Sequence, residues 1–307
     1  KCETIMDQLH ALTAFVAVAE ENGFAAGARR LGLSGPSVTR LVNGLEAHLG
    51  AQLLHRTTRT VSLTEVGQRY LADAKRILGD LEEADRTVAG LHAAPKGRVS
   101  VTASLIFGRK IVAPALFDAM DLYPEISIST LFVDRVTHLA DEGLDIAVRI
   151  AELPDSSMIA ARVGAVRRVL CASPGYLDRW GRPETPKALE AHRLIGFASS
   201  AATGAWVLAQ GGKTQVLKVD ARLLTNTADV AIGAALAGRG ITRVLSYQVD
   251  DEVAAGRLEL VLPDYTPPAV PVHVVHRETG QVPARVRAVV DHLVGALRLH
   301  PSLRQRG

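Results

Sequence analysis

Cysteine and aromatic residues are scarce in this chain, and long uncharged apolar runs are missing. Only two of its 307 residues are cysteine, Cys2 and Cys171. They are too few for a disulfide framework and too far apart for a zinc module, whose ligands come in closely spaced pairs. Such usage implies a reducing, cytoplasmic setting. Aromatic residues make up 4% of the chain, leaving few platforms for stacked bases, which argues against single-stranded nucleic acid as the main partner. No uncharged apolar run approaches the roughly 18 to 20 residues that a membrane span requires. The opening KCETI lacks the apolar centre of a secretory signal, and the helical pattern places the natural start at Met6. Histidine supplies no metal pair. His273 and His276 stand three apart in the strand-like VHVVH, where that spacing points them to opposite faces. No metal and no cofactor are expected.

The net charge of +3 is too small to advertise a nucleic-acid partner. Its placement says more, because Arg29 to Arg59 holds five arginines and a single acid, Glu46. A few like charges on a solvated face are ordinary, so charge alone does not assign DNA.

Apolar spacing organises the first ninety residues. Leu9, Leu12, Phe15, Val16 and Ala19 mark one helical stripe that Asn22 and Gly23 end. FAAGARRL reads as a second short helix closed by Gly32. In LGLSGPSVTRLVNGLEAHLG, Ser34 caps a third helix with Pro36 in its first turn, and Val38, Leu41, Val42, Leu45 and Leu49 line its buried face. Two helices across a tight glycine turn make a helix-turn-helix. One reading is a small bundle with a half-buried third helix. The other places that helix tip first in the major groove of DNA, where the hydroxyls of Ser34, Ser37 and Thr39 and the charge of Arg40 suit bases and phosphates. AQLLHRTTRTVSLT follows as a short hairpin carrying Arg56 and Arg59, in the place of a wing.

FAAGARRLGLSGPSVTRLVNGLEAHLGAQLLHRTTRTVSLTEVGQRYL resembles the winged helix-turn-helix of LysR-type transcriptional regulators. The resemblance implies a DNA-binding domain over residues 1–63, with Ser34, Pro36, Ser37, Thr39, Arg40, Asn43, Arg56, Thr57 and Arg59 facing double-stranded DNA. Gly35 departs from the family, many of whose members carry glutamine or another polar residue there. Base reading then shifts to Ser34, Ser37 and Arg40.

Thr64 caps the next helix, and Glu65 complements its positive end. Tyr70, Ala74, Ile77, Leu81, Ala84, Val88 and Leu91 alternate spacings of four and three, a seam suited to a second helix. Residues 64–92 therefore read as a linker and dimerisation helix about 40 Å long. A homodimer or homotetramer would read an operator of two-fold symmetry.

AAPKG, residues 93–97, forms a hinge. Beyond it, residues 98–307 alternate strands and helices, including a short helix near Leu139, which implies a largely parallel sheet with ligands at strand carboxyl ends. At one such end Ser104 either caps a helix or meets a ligand, and Thr225 to Thr227 form another. The last pattern, PARVRAVVDHLVGAL, is a packing helix. The resemblance implies an effector domain like a periplasmic solute-binding protein, with lobe 1 at about 98–161 and 269–307 and lobe 2 at about 162–268. Its cleft would take Thr102, Ser104, Phe132, Phe197, Asn226 and Thr242.

The fold class is thus α/β behind an N-terminal winged helix-turn-helix and a long linker helix. The function implied is a ligand-responsive, DNA-binding transcriptional regulator whose partners are duplex DNA, a small-molecule effector, further copies of itself and, through the resemblance, RNA polymerase. A transport solute-binding protein is opposed by residues 1–92 and by the lack of a signal segment. An enzyme is opposed by the absence of a GxSxG elbow, a paired-carboxylate motif or a P-loop.

Overall fold

The computed structural model describes residues 2–56, 61–88, 94–153, 158–197, 205–277 and 282–304, with the side chains of 2–6, 80 and 82–88 outside that description. The chain divides into two compact units, Lys1–Ala94 and Pro95–Gly307.

The first unit runs α1 (Cys2–Glu20), α2 (Phe24–Leu31), α3 (Gly35–Leu49), β1 (Leu54–Arg56), β2 (Val61–Leu63) and α4 (Glu65–Val88). Leu12, Phe15 and Val18 of α1 meet Val38, Val42 and Leu45 of α3 in one core, joined by Leu53, Leu54 and Ala74. The turn between α2 and α3 depends on Gly32, whose φ of 66° is left-handed. Thr64 caps α4 by accepting from Gly67 N at 2.9 Å while its hydroxyl donates to Gln52 O at 2.8 Å. Gly67 lies so close to the hairpin that a Cβ there would stand 2.0 Å from the Leu53 carbonyl oxygen.

Two carboxylates tie this unit together. Glu20 bonds Arg30 of α2 at 2.6 Å and Lys75 of α4 at 2.5 Å. Burial alone would raise its carboxyl, yet the bonds from Lys75 and Arg30 outweigh that and hold it below the usual range. Glu46 on α3 accepts from Leu53 N at 2.8 Å and Leu54 N at 3.1 Å through one oxygen, and from Arg56 at 2.5 Å through the other. The hairpin is thereby hung from the third helix by three hydrogen bonds.

The second unit opens with β3 (Gly97–Ala103), α5 (Leu105–Phe107), a π-turn (Gly108–Val112) and α6 (Ala113–Leu122), then β4 (Ile126–Phe132), β5 (Ile146–Ile150) and β6 (Met158–Val166). It continues with β7 (Arg168–Ala172), α7 (Pro174–Trp180), β8 (Leu194–Phe197), β9 (Ala205–Gln210), β10 (Lys213–Lys218), β11 (Ala221–Thr225) and α8 (Ala228–Leu236). β12 (Ile241–Leu245), α9 (Ser246–Ala254), β13 (Glu259–Val261), β14 (Val270–Arg277) and α10 (Ala284–Leu299) complete it. Two five-stranded sheets result, in the orders β4-β3-β5-β14-β6 and β11-β8-β12-β7-β13. Both are mixed rather than largely parallel. In each, two parallel pairings are followed by two antiparallel ones, because one strand, β14 in the first sheet and β7 in the second, runs opposite to the other four. Only Arg167 separates β6 from β7, so the chain changes sheets there, later than the boundary near 161 read from sequence.

The helix expected near Leu139 is a turn. Leu139 and Leu144 both pack against Ala147, and Leu144 N bonds Leu139 O at 2.9 Å, so the segment closes on itself before a second helical turn can form. Buried residues of both lobes form one cluster that runs from Val101 and Phe107 to Val244 and Tyr247. The second lobe has a further core of its own around Leu170, Trp206, Leu208 and Ile241.

Gly67→Ala should destabilise the first unit by about 2 kcal/mol, the order expected when a packed contact is overfilled, read as an earlier urea transition. Glu46→Ala, which strands two amides and a guanidinium, should cost about 2 kcal/mol. Its signature is faster hydrogen exchange at the Leu53 and Leu54 amides.

Candidate nucleic-acid interface and effector cleft

α3 buries Val38 and Val42 completely and turns Ser34, Pro36, Arg40 and Asn43 outward, with Ser37 and Thr39 half-buried beside them. Its first turn is capped by Ser34 Oγ, which accepts from Ser37 N at 3.2 Å and lies 2.7 Å from Ser37 Oγ. The Thr39 hydroxyl donates back to Gly35 O at 3.0 Å. No acid stands in that turn, so the positive end of the helix is unopposed. Among the described residues no carboxylate pairs with Arg40. Arg40 and Ser37 also border an apolar groove of about 860 Å³ between α1 and α3, floored by Ala11, Leu31, Leu41 and Leu45.

The wing differs from the sequence expectation. Arg56 is not a free surface cation: it bonds Glu46 and lies 4.8 Å over the Phe24 ring. Thr57 and Arg59 lie outside the described residues.

The linker seam is corrected in its first turns. Ala74 is fully buried in the core of its own unit, and Tyr70 packs there with its ring 5.8 Å from Phe15. These two positions face α1 because α4 rests on that helix before it extends further. Ile77 and Leu81 stay 41% and 39% exposed, and they carry what the described side chains show of a seam. The side chains of Ala84 and Val88, and the whole of Leu91, lie outside the description.

In the second unit, the candidates sort by burial. Thr102 and Thr242 are closed off, and their hydroxyls donate to strand carbonyls, Leu131 O at 2.6 Å and Ile195 O at 3.1 Å. Both act as ties between strands, a correction that follows from their central place in each sheet. Ser104 differs. It occupies the cap position of α5 with no side-chain bond to the helix, and its Oγ is shut from solvent with no hydrogen bond of good geometry. The Tyr247 hydroxyl, pushed up to about 12 by burial, is near enough to interact with Ser104, and it accepts from Gln248 Nε2 at 3.4 Å. The sequence singled out neither Tyr247 nor Gln248, because nothing local marks a tyrosine on α9 as a neighbour of a serine that precedes α5.

Phe132 covers the π-turn: a Cβ on Gly108 would meet its ring at 2.3 Å. Such turns recur at functional sites. This one sends Arg109 to Asp229 of α8 at 3.2 Å and Lys110 to Asp251 of α9 at 2.6 Å, so two ion pairs span the lobes. Phe197 packs half-buried on the shared core, and Asn226 is exposed at the start of α8. Among the described residues no group of three or more histidine, cysteine or acidic side chains is placed to hold a metal, and no helix is long and apolar enough to cross a membrane.

Comparison with known proteins covers both units. Residues 9–68 match the bacterial regulatory helix-turn-helix protein, lysR family, and residues 92–298 match the LysR substrate binding domain. An HTH-type transcriptional repressor of Pseudomonas aeruginosa is 34% identical over 97% of this chain and 95% of its own. The transcriptional activator AaeR of Escherichia coli is 29% identical over 98% of this chain and 99% of its own. The structure of CrgA, a LysR-type transcriptional regulator from Neisseria meningitidis, superposes with a TM-score of 0.61 at 30% identity, covering 94% of this chain and 98% of that one. Since the two models of one family account for both units in order, and relatives follow the chain along nearly its full length, it belongs to the LysR family of DNA-binding transcriptional regulators.

Proposed function

We propose that α3 enters the major groove of duplex DNA tip first, with Ser34, Pro36, Ser37, Thr39, Arg40 and Asn43 on the contact face. The observation that carries this is the open, capped end of α3, free of acids and of bulky side chains. Arg40 supplies phosphate neutralisation. Arg56 positions the hairpin through Glu46, leaving Thr57 and Arg59 to reach the backbone. Ile77 and Leu81 pair with a second copy, so the operator has two-fold symmetry. Phe117, Met120 and Leu122 on α6, exposed by 63%, 44% and 62%, support a further contact between copies in a tetramer. RNA polymerase is the downstream partner, and the setting is the cytoplasm.

A small molecule is sensed between the lobes, at Ser104 with Phe132 and Asn226. The support is a buried hydroxyl without a good partner beside a π-turn whose two ion pairs bridge the lobes. A ligand shifts such an equilibrium only by preferring one lobe arrangement over the other. Binding rather than turnover is the role proposed for this cleft.

Arg40→Ala should weaken binding to the DNA upstream of the protein's own gene and lower the slope of log affinity against log salt by about 1. Unchanged affinity and slope would place α3 off the DNA. Ser104→Leu should leave that affinity intact while removing the change in footprint produced by a panel of small aliphatic and aromatic acids.

A further inference from the structure

The second lobe holds a positive charge that its surroundings do not neutralise. Arg243 lies on β12, in register with Leu170 of β7, while Arg168 of β7 is in register with Leu245. Arg168 and Arg243 are therefore diagonal neighbours on one sheet face, roughly 7–8 Å apart and within reach of long side chains. Around them that face is apolar, with Leu170 and Ile241 in the core that Trp206 covers. The contacts of the Arg243 guanidinium are neutral: it donates to Val207 O at 3.3 Å and lies 5.9 Å from the Trp206 ring.

A buried cation is ordinarily paired, because desolvation is repaid only by an opposite charge. The other arginines with resolved shifts are exposed ones. Arg30, Arg135, Arg182 and Arg257 are each raised by a carboxylate. Arg243 goes the other way among the described residues, pushed down to about 10 by burial and then by the Arg168 charge. Arg243 is half-buried and Arg168 beside it is exposed; the two like charges repel, and an anion between them relieves that repulsion and the desolvation of Arg243. The fork of a guanidinium matches the oxygens of a carboxylate or phosphate group.

We propose that Arg168 and Arg243 form a binding site for a small oxyanion, carboxylate or phosphate, on the face of the second-lobe sheet beneath the β9–β10 hairpin. It is separate from Ser104, which belongs to the first lobe. Its place gives it leverage: Arg168 directly follows Arg167, where the chain crosses between lobes, and Arg167 is bonded to Ser246 through Ser246 N to Arg167 O at 2.8 Å.

The chain has two tryptophans, Trp180 and Trp206, so Trp180→Phe in the full-length protein leaves Trp206 as a single reporter beside Arg243. Sodium acetate and sodium phosphate are titrated separately, with chloride holding ionic strength constant. The site predicts a saturable fluorescence change with at least one of them, and the one that saturates names the anion class. Arg168→Gln, at an exposed position that spares the contacts of Arg243 with the hairpin, should weaken that response tenfold or more. Arg243→Gln should abolish it, and Ser104→Leu should preserve it. If neither anion saturates, or if Arg168→Gln responds as the parent does, Arg243 only fastens the hairpin and the proposal fails.

Discussion

A single carboxylate decides how the DNA-binding unit presents itself. Glu46 is the one acid among the arginines from Arg29 to Arg59, and it points inward, accepting two hairpin amides and the Arg56 guanidinium. Three consequences follow from that orientation. The hairpin takes a fixed position against α3, Arg56 becomes a strut rather than a loose cation, and the outer face of α3 is left without negative charge. In the docking proposed above, the surface that remains attracts the polyanion, and counterion release supplies sequence-independent affinity. The hydroxyls at the helix tip have no comparable long-range effect. In that docking they act only once the helix is already in place, which separates attraction from recognition.

Within the second unit the corresponding constraint is the π-turn at Gly108–Val112. An ordinary α-helical turn would aim successive side chains 100° apart along a regular face. The extra residue of a π-turn shifts that face, and here Arg109 and Lys110 both reach across to the other lobe. Surface ion pairs of this kind contribute about 0–1 kcal/mol each. That is a useful size for a switch. Bonds this weak hold one arrangement without locking it, and a ligand with a modest preference for another arrangement outcompetes them.

What the sequence reveals and conceals follows from how local each interaction is. α3 was legible because its cap, its proline and its apolar spacing all fall within sixteen consecutive residues and agree with one another. The family resemblance rests on the same stretch. Tyr70 and Ala74 were misread because an apolar seam on a helix looks the same whether the partner is α1 or a second copy of α4. Thr102 and Thr242 were assigned to the cleft through the family resemblance, yet their burial depends on neighbouring strands that only the sheet order supplies. Tyr247 was invisible for that reason, as was the pairing of Arg168 with Arg243, which needs the register of β7 against β12. Glu46 could be seen as a lone acid but not as a clamp, because its partners lie seven to ten residues away across a turn.

The same reasoning bears on how a signal enters. Cys171 lies fully buried in the shared core, where desolvation pushes its thiol up to about 12. Thiolate is the reactive form, and a group with that affinity for its proton presents almost none near neutral pH. Oxidation would also need an oxidant to reach a sulfur enclosed by apolar side chains, and no second thiol stands among the described side chains to complete a disulfide. Covalent redox signalling through Cys171 is therefore disfavoured on both charge and access. The non-covalent binding proposed above needs no thiolate: among the described residues no carboxylate pairs with the Arg243 guanidinium, which bonds only the Val207 carbonyl and faces the Trp206 ring. On that proposal the energy to move the lobes comes from polar groups the fold leaves without a charged partner, and a regulator built this way responds to concentration rather than to chemical modification.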